Sequence, residues 1–248
     1  MRALRIILIV AVILGGLFVI ADRVAVGFAE DEAADRLKAN EGLASTPDVS
    51  IEGFPFLTQV VGGELDDVKI GIKDYEATTG NANASDGTIR IDDLNAEMHG
   101  VEFSGDYSSA TAGSATGTAT IAYAELLEVA KSDATQVAPG VTVEVVSLSD
   151  GGDGKIKVSL KVSVGSAEVT RSVSVLSSVT VVGGDTVRVH ADSLPELGVD
   201  LAEDQVREGI DFEQKIDQLP GGIQLDKVEA AADGVDISVK GSDVRLVG

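Results

Sequence analysis

Apolar residues run unbroken over positions 6–21, thin to a helical spacing over 22–40, and alternate with polar ones from position 48 onward. The middle segment predicts a helix, with Val24, Phe28 and Leu37 on one stripe, Ala33 and Ala34 between them, and a stop at Asn40 and Gly42. It either packs on the rest of the chain or stands as a stalk. Strict alternation at 68–73, 141–145, 156–164, 173–175, 187–189 and 235–239 gives strands with one wet and one dry face. Turn signals separate them at 150–154, 183–185 and 233–234. The pattern predicts one long antiparallel sheet of about nine or ten strands. Two more helices are predicted, at 123–130 and at 201–219 before Pro220-Gly221-Gly222. The small, polar stretches 85–87 and 108–117 read as loop or edge.

The sixteen-residue apolar run is long for a signal-peptide core and short for a membrane span. Snorkelling of Arg5 extends it back to Ala3. Arg2 and Arg5 precede the run, so the N-terminus stays in the cytoplasm and the rest is exported. Gly27-Phe28-Ala29 offers small residues at the positions a signal peptidase reads, so cleavage after Ala29 competes with retention as an anchor. The chain divides into a signal or anchor segment, 1–29, and an extracytoplasmic domain, 30–248, bound to the membrane or secreted.

Composition narrows the partners. There is no cysteine, so the exported part is held by its core alone. Net charge is −22; three arginines and one aspartate precede Val24, which leaves −24 for the remainder. That acidity excludes nucleic acid as a partner and argues against docking on an anionic surface by general charge. Any lipid contact is apolar or uses a local basic patch. Lys155, Lys157 and Lys161 share one strand face, either as protection of a sheet edge or as such a patch.

Signals for catalysis are weak. His99 and His190 lie far apart in strand-like contexts, and no nucleophile, metal or phosphate-loop motif is present. Residues 150–154 resemble a calcium-loop fragment without the later acidic ligand, so a hairpin turn is the better reading. The pairs Asp66-Asp67 and Asp92-Asp93 sit on adjacent strand positions, which point to opposite faces. No cofactor is implied.

The most informative segment is Gly53-Phe-Pro-Phe-Leu-Thr-Gln-Val-Val-Gly-Gly63. It concentrates Phe54, Phe56, Leu57, Val60 and Val61 in a chain with only six Phe and no Trp. Pro55 favours an extended Phe54, so the two rings, two residues apart, are expected to share an environment. Such a segment suits a core corner or an apolar ligand groove. The second reading makes those five residues candidate lipid contacts. A weak echo links Gly62-Gly63 and the following Leu65 and Val68 to Gly221-Gly222, Leu225 and Val228.

Residues 49–70, with Gly-Phe-Pro-Phe-Leu-Thr-Gln at their centre, resemble the hallmark of the LmeA-like phospholipid-binding family of actinobacterial cell envelopes. Segments 94–101, 119–127 and 219–246 follow the same pattern, behind an export leader. The resemblance implies an α+β fold, a long curved antiparallel sheet wrapped on one or two helices, like half of a tubular lipid-binding domain. It implies a non-enzymatic phospholipid binder that holds acyl chains in an apolar trough and supports envelope lipid or lipoglycan maturation. Two alternatives stay open: a structural or adhesive β-domain with a closed core, and an enzyme acting on lipid-linked sugars.

Overall fold

No proline occurs before Pro47, so nothing interrupts the helical pattern of the first forty residues. Leader and amphipathic segment accordingly form one helix, α1 (Arg2–Glu41). It ends where Gly42 turns left-handed, at φ +65°, and the Leu43 N–H donates to the Lys38 carbonyl at 3.0 Å. This computed structural model describes residues 2–78, 88–106, 109–130, 135–138, 140–164, 169–193, 211–215 and 222–247.

Two six-stranded antiparallel sheets follow, one of them curled into a half-barrel, and with the helices they make the expected α+β architecture. Strand β1 (Asp48–Glu52) leads into helix α2 (Phe56–Gly62), then β2 (Glu64–Thr78), β3 (Thr88–Phe103) and β4 (Ala110–Ala122). Helix α3 (Tyr123–Ala130) falls where the sequence places it. Next come β5 (Thr135–Ala138), β6 (Val141–Asp150), β7 (Ile156–Val164), β8 (Val169–Val182), β9 (Thr186–Ala191) and β10 (Phe212–Lys215). The chain closes with β11 (Ile223–Ala230) and β12 (Gly234–Val247). The first sheet has the order β1-β2-β3-β4-β12-β11 and the second β10-β9-β8-β7-β6-β5.

The single long sheet expected from the sequence is thus divided in two: β12 returns to pair with β4, and β5 to β10 form a sheet of their own. The expected turns join the sheets. Gly184 accepts from the Leu225 N–H at 2.7 Å and Gly154 from the Ala230 N–H at 3.2 Å, so two hairpin turns of the second sheet satisfy the edge of β11. Beneath them Ile156 packs with Val228, Ala230 and Val235, and α3 adds Tyr123 and Leu126.

Three local expectations change. Of the stretch 108–117, expected as loop or edge, residues 110–117 form part of a central strand and 108 lies outside the described residues; the small side chains let helices approach the sheet. Within the expected helix at 201–219, Phe212–Lys215 pairs as a strand with β9, and the rest of that segment, like 85–87, lies outside the described residues. The α1 stripe is rotated: Val24 and Phe28 are exposed, while Val26 and Ala34 are buried, with Ala25 and Ala29 packed beside the core. Alanine on that face brings the helix axis closer to its neighbours than Val or Phe would.

Candidate functional site

The Gly53–Gly63 segment is a junction between α1, α2 and the first sheet. Gly53 takes φ +95°, and a Cβ there would lie 2.5 Å from both Asp66 Oδ2 and Gln59 Nε2, so only glycine fits. Pro55 stands at the N-cap of α2 and offers no side-chain hydrogen bond. The cap comes instead from α1. Asp22, fully buried, accepts from the Leu57 N–H at 2.8 Å and pairs with Arg23 at 2.6 Å. Gln59 ties the strands on either side: its Oε1 accepts from the Asp66 N–H at 2.7 Å, and its Nε2 donates to the Glu52 carbonyl at 3.5 Å. Thr58 Oγ1 donates back to the Pro55 carbonyl at 2.8 Å.

The five candidate residues do not share one environment. Phe56 is buried with Val26, Leu65, Met98, Val101 and three alanines of β4, and Leu57 and Val60 pack beside it. Phe54 and Val61 face solvent. The rings of Phe54 and Phe56 diverge because the helix begins at Phe56, which breaks the extended geometry that would have aligned them. Phe54 lies instead 5.3 Å under the Arg23 guanidinium.

A second apolar feature lies on the same face of the first sheet as the α1–α2 core. Register aligns Ile70, Ala96, Gly117, Val239 and Leu225 in one row across five strands, and Ile72, Leu94, Ala119, Ile237 and Val228 in the next. Four inter-strand steps make each row about 19 Å long, comparable with an extended fatty acyl chain. One end of this face is filled by Phe56 and Val26, the other by the cluster under α3. Between them Leu94, Ala96, Ala119 and Val239 are only half-buried and belong to neither cluster. The floor is low because its side chains are small. At Gly117 a Cβ would come within 2.9 Å of Val239 Cγ2.

Neither this strip nor Asp22 is marked as a site by the sequence alone. Alternation in β4 of Ala115, Gly117, Ala119 and Ile121 with threonines carried the signal for the strip, but small residues resemble loop composition. Asp22 was visible as the first acid after the apolar run.

Other candidates carry less. His99 Nδ1 pairs with Asp67 across β2–β3, and Ser114 stands opposite His99 on β4. No hydrogen bond joins Ser114 to His99 among the described residues, and both His99 and Ser114 lie on the exposed face of the sheet. His190 Nδ1 meets Asp211 at 2.7 Å. The lysine face is not an edge, since β7 is interior to its sheet. Lys155 is engaged by Asp192 at 2.7 Å and Lys161 by Glu144 at 3.8 Å. Among the described residues no group of three or more His, Asp or Glu could hold a metal.

No curated protein and no solved structure matches the chain. A model of the family described as LmeA-like phospholipid-binding matches residues 20–240, nearly the whole length, and takes in the junction, the aliphatic strip and both sheets. The chain belongs to the LmeA-like phospholipid-binding family.

Proposed function

We propose that this protein is a membrane-anchored, extracytoplasmic phospholipid binder whose acyl chains lie along the half-buried strip of Leu94, Ala96, Ala119 and Val239. The observation that carries the reading is the strip itself: aliphatic, lying at the middle of rows about 19 Å long, and incompletely filled between two packed ends. The residues of the junction divide the remaining work. Phe54 and Val61 meet lipid at the surface, while Phe56, Leu57 and Val60 hold α2 in place. The anchor stays attached. Cleavage after Ala29 would remove Asp22, Ala25, Val26 and Ala29, which cap α2 and fill its core. In an envelope, such a protein supplies lipid for the maturation of larger lipids or lipoglycans.

Filling the strip tests this. Ala96→Phe and Ala119→Phe place rings where acyl chains would lie. Native mass spectrometry after mild extraction should show phospholipid on the parent chain and its loss from both variants, with melting temperature nearly unchanged. A steep fall in melting temperature with lipid retained would mean that the strip is tightly packed core, as in a closed structural domain.

A further inference from the structure

Helix α1 presents two different faces beyond position 21. Toward the domain it buries Asp22 and Val26, only 0% and 7% exposed. Away from it the apolar stripe of the leader continues through Val24 and Phe28, 53% and 72% exposed. From Leu4 to Val24 the helix rises about 30 Å, the thickness of a bilayer's hydrocarbon core. Phe28 stands one turn further on, about 6 Å higher, at the depth of the headgroups. Arg23 lies at the boundary between the two layers, and Phe54, 57% exposed, stacks on its guanidinium at 5.3 Å.

From this continuity we infer that the α1–α2 junction is seated in the headgroup layer of the leaflet, with Phe28 and Phe54 inserted into it as apolar wedges. The occupant of this surface is the bilayer through which α1 passes; the inference rests on the anchor reading above. Asp22 makes the seating rigid, because its bond to the Leu57 N–H leaves no free linker between span and domain. With −24 net charge beyond Arg23, attraction to lipid phosphates does not hold the domain down. Apolar insertion beside Arg23 does, since Phe side chains on the apolar face of an interfacial segment bury into the boundary between headgroups and acyl chains. The domain therefore rides directly on the leaflet from which its lipid comes.

The chain has no Trp, so single reporters have no background. The full-length Phe28→Trp, Phe54→Trp and Leu176→Trp proteins are placed in phosphatidylcholine vesicles with brominated acyl chains. Leu176 is on β8 of the second sheet. The first two should lose most of their emission relative to unbrominated vesicles, and the third should keep it. Phe28 faces away from the domain, so its quenching reports the leaflet and not a molecule bound in the strip. Quenching confined to the Phe54→Trp protein overturns the seating and assigns that contact to bound lipid. A chain that floats with the vesicles but is unquenched at both positions overturns the seating and leaves the anchor standing. Failure to float removes both.

Discussion

The two sheets carry the same alternating pattern yet fill their dry faces in opposite ways. Around Leu160 of the second sheet the core draws, among the described residues, on strands alone: Val141, Val143, Leu160, Val162, Val175 and Ala191 pack against one another. In the first sheet the floor of β4 is alanine, and the volume is supplied from outside by Val26 of α1 and Phe56 of α2. Among the described residues no helix joins the Leu160 cluster, whereas the alanine floor is completed by two. Where α1 and α2 stop supplying large side chains, the low floor continues through Ala96, Gly117 and Ala119, and that continuation is the strip assigned to lipid. The same composition thus provides the seat for the helices and the room for a ligand.

Cutting one large side chain from each core sharpens the contrast. Phe56→Ala removes a ring that no strand residue can replace and should destabilise by about 3–5 kcal/mol, against about 2–5 kcal/mol for Leu160→Ala. Chemical denaturation measures both. Lipid retention separates them: losing Phe56 loosens α2 beside the strip, while losing Leu160 leaves the first sheet intact. Phe54→Ala, at an exposed position, should change stability by no more than about 0.5 kcal/mol. Equal lipid loss from the Phe56 and Leu160 variants would erase the functional distinction between the sheets.

How far the sequence reveals this depends on which force acts at each place. Period-two alternation reads β7, β8 and β12 directly, and the glycine turns at 152, 183 and 184 fall where expected, because burial and backbone handedness act locally there. The division into two sheets is not legible: it depends on β12 crossing back to β4, a long-range pairing with no local mark. Likewise the hallmark segment announces Phe54 and Phe56 together, but their fates are set by Asp22, more than thirty residues upstream, which starts a helix at Phe56. A cap supplied by another helix leaves no spacing to recognise.

That cap is the next place to break the comparison, with a smaller effect. Asp22→Ala leaves the Leu57 N–H without its acceptor and Arg23 without its carboxylate partner. Melting should fall by a few degrees. Limited proteolysis should open the chain near Gly53 first, since α2 frays while the second sheet holds. Equal protection of residues 53–63 in parent and variant would show that apolar packing alone seats α2.

The smallest effect belongs to the second sheet and depends on pH. Lys155, just before β7, bonds Asp192, just after β9, at 2.7 Å, and Ser178 Oγ donates to the other carboxylate oxygen at 2.5 Å. The two residues clamp the ends of three adjacent strands. The hydrogen bond from Lys155, then that from Ser178, hold the Asp192 carboxyl below its ordinary range, against the opposing effect of partial burial. A carboxylate with a depressed native pKa adds stability above its unfolded value, about 3.9, and loses it as pH falls through the native value beneath. Asp192→Asn should therefore lower the melting temperature slightly at neutral pH. The gap should narrow below about pH 4 as the parent's carboxyl takes up its proton. Because both groups are partly exposed, added salt should shrink the gap as well. Melting curves from pH 7 downward, at low and high salt, measure it. A gap that stays constant across the acid range would mean that Asp192 acts through packing and its hydroxyl contact, with no contribution from charge, and the second sheet would then be held by its aliphatic core alone.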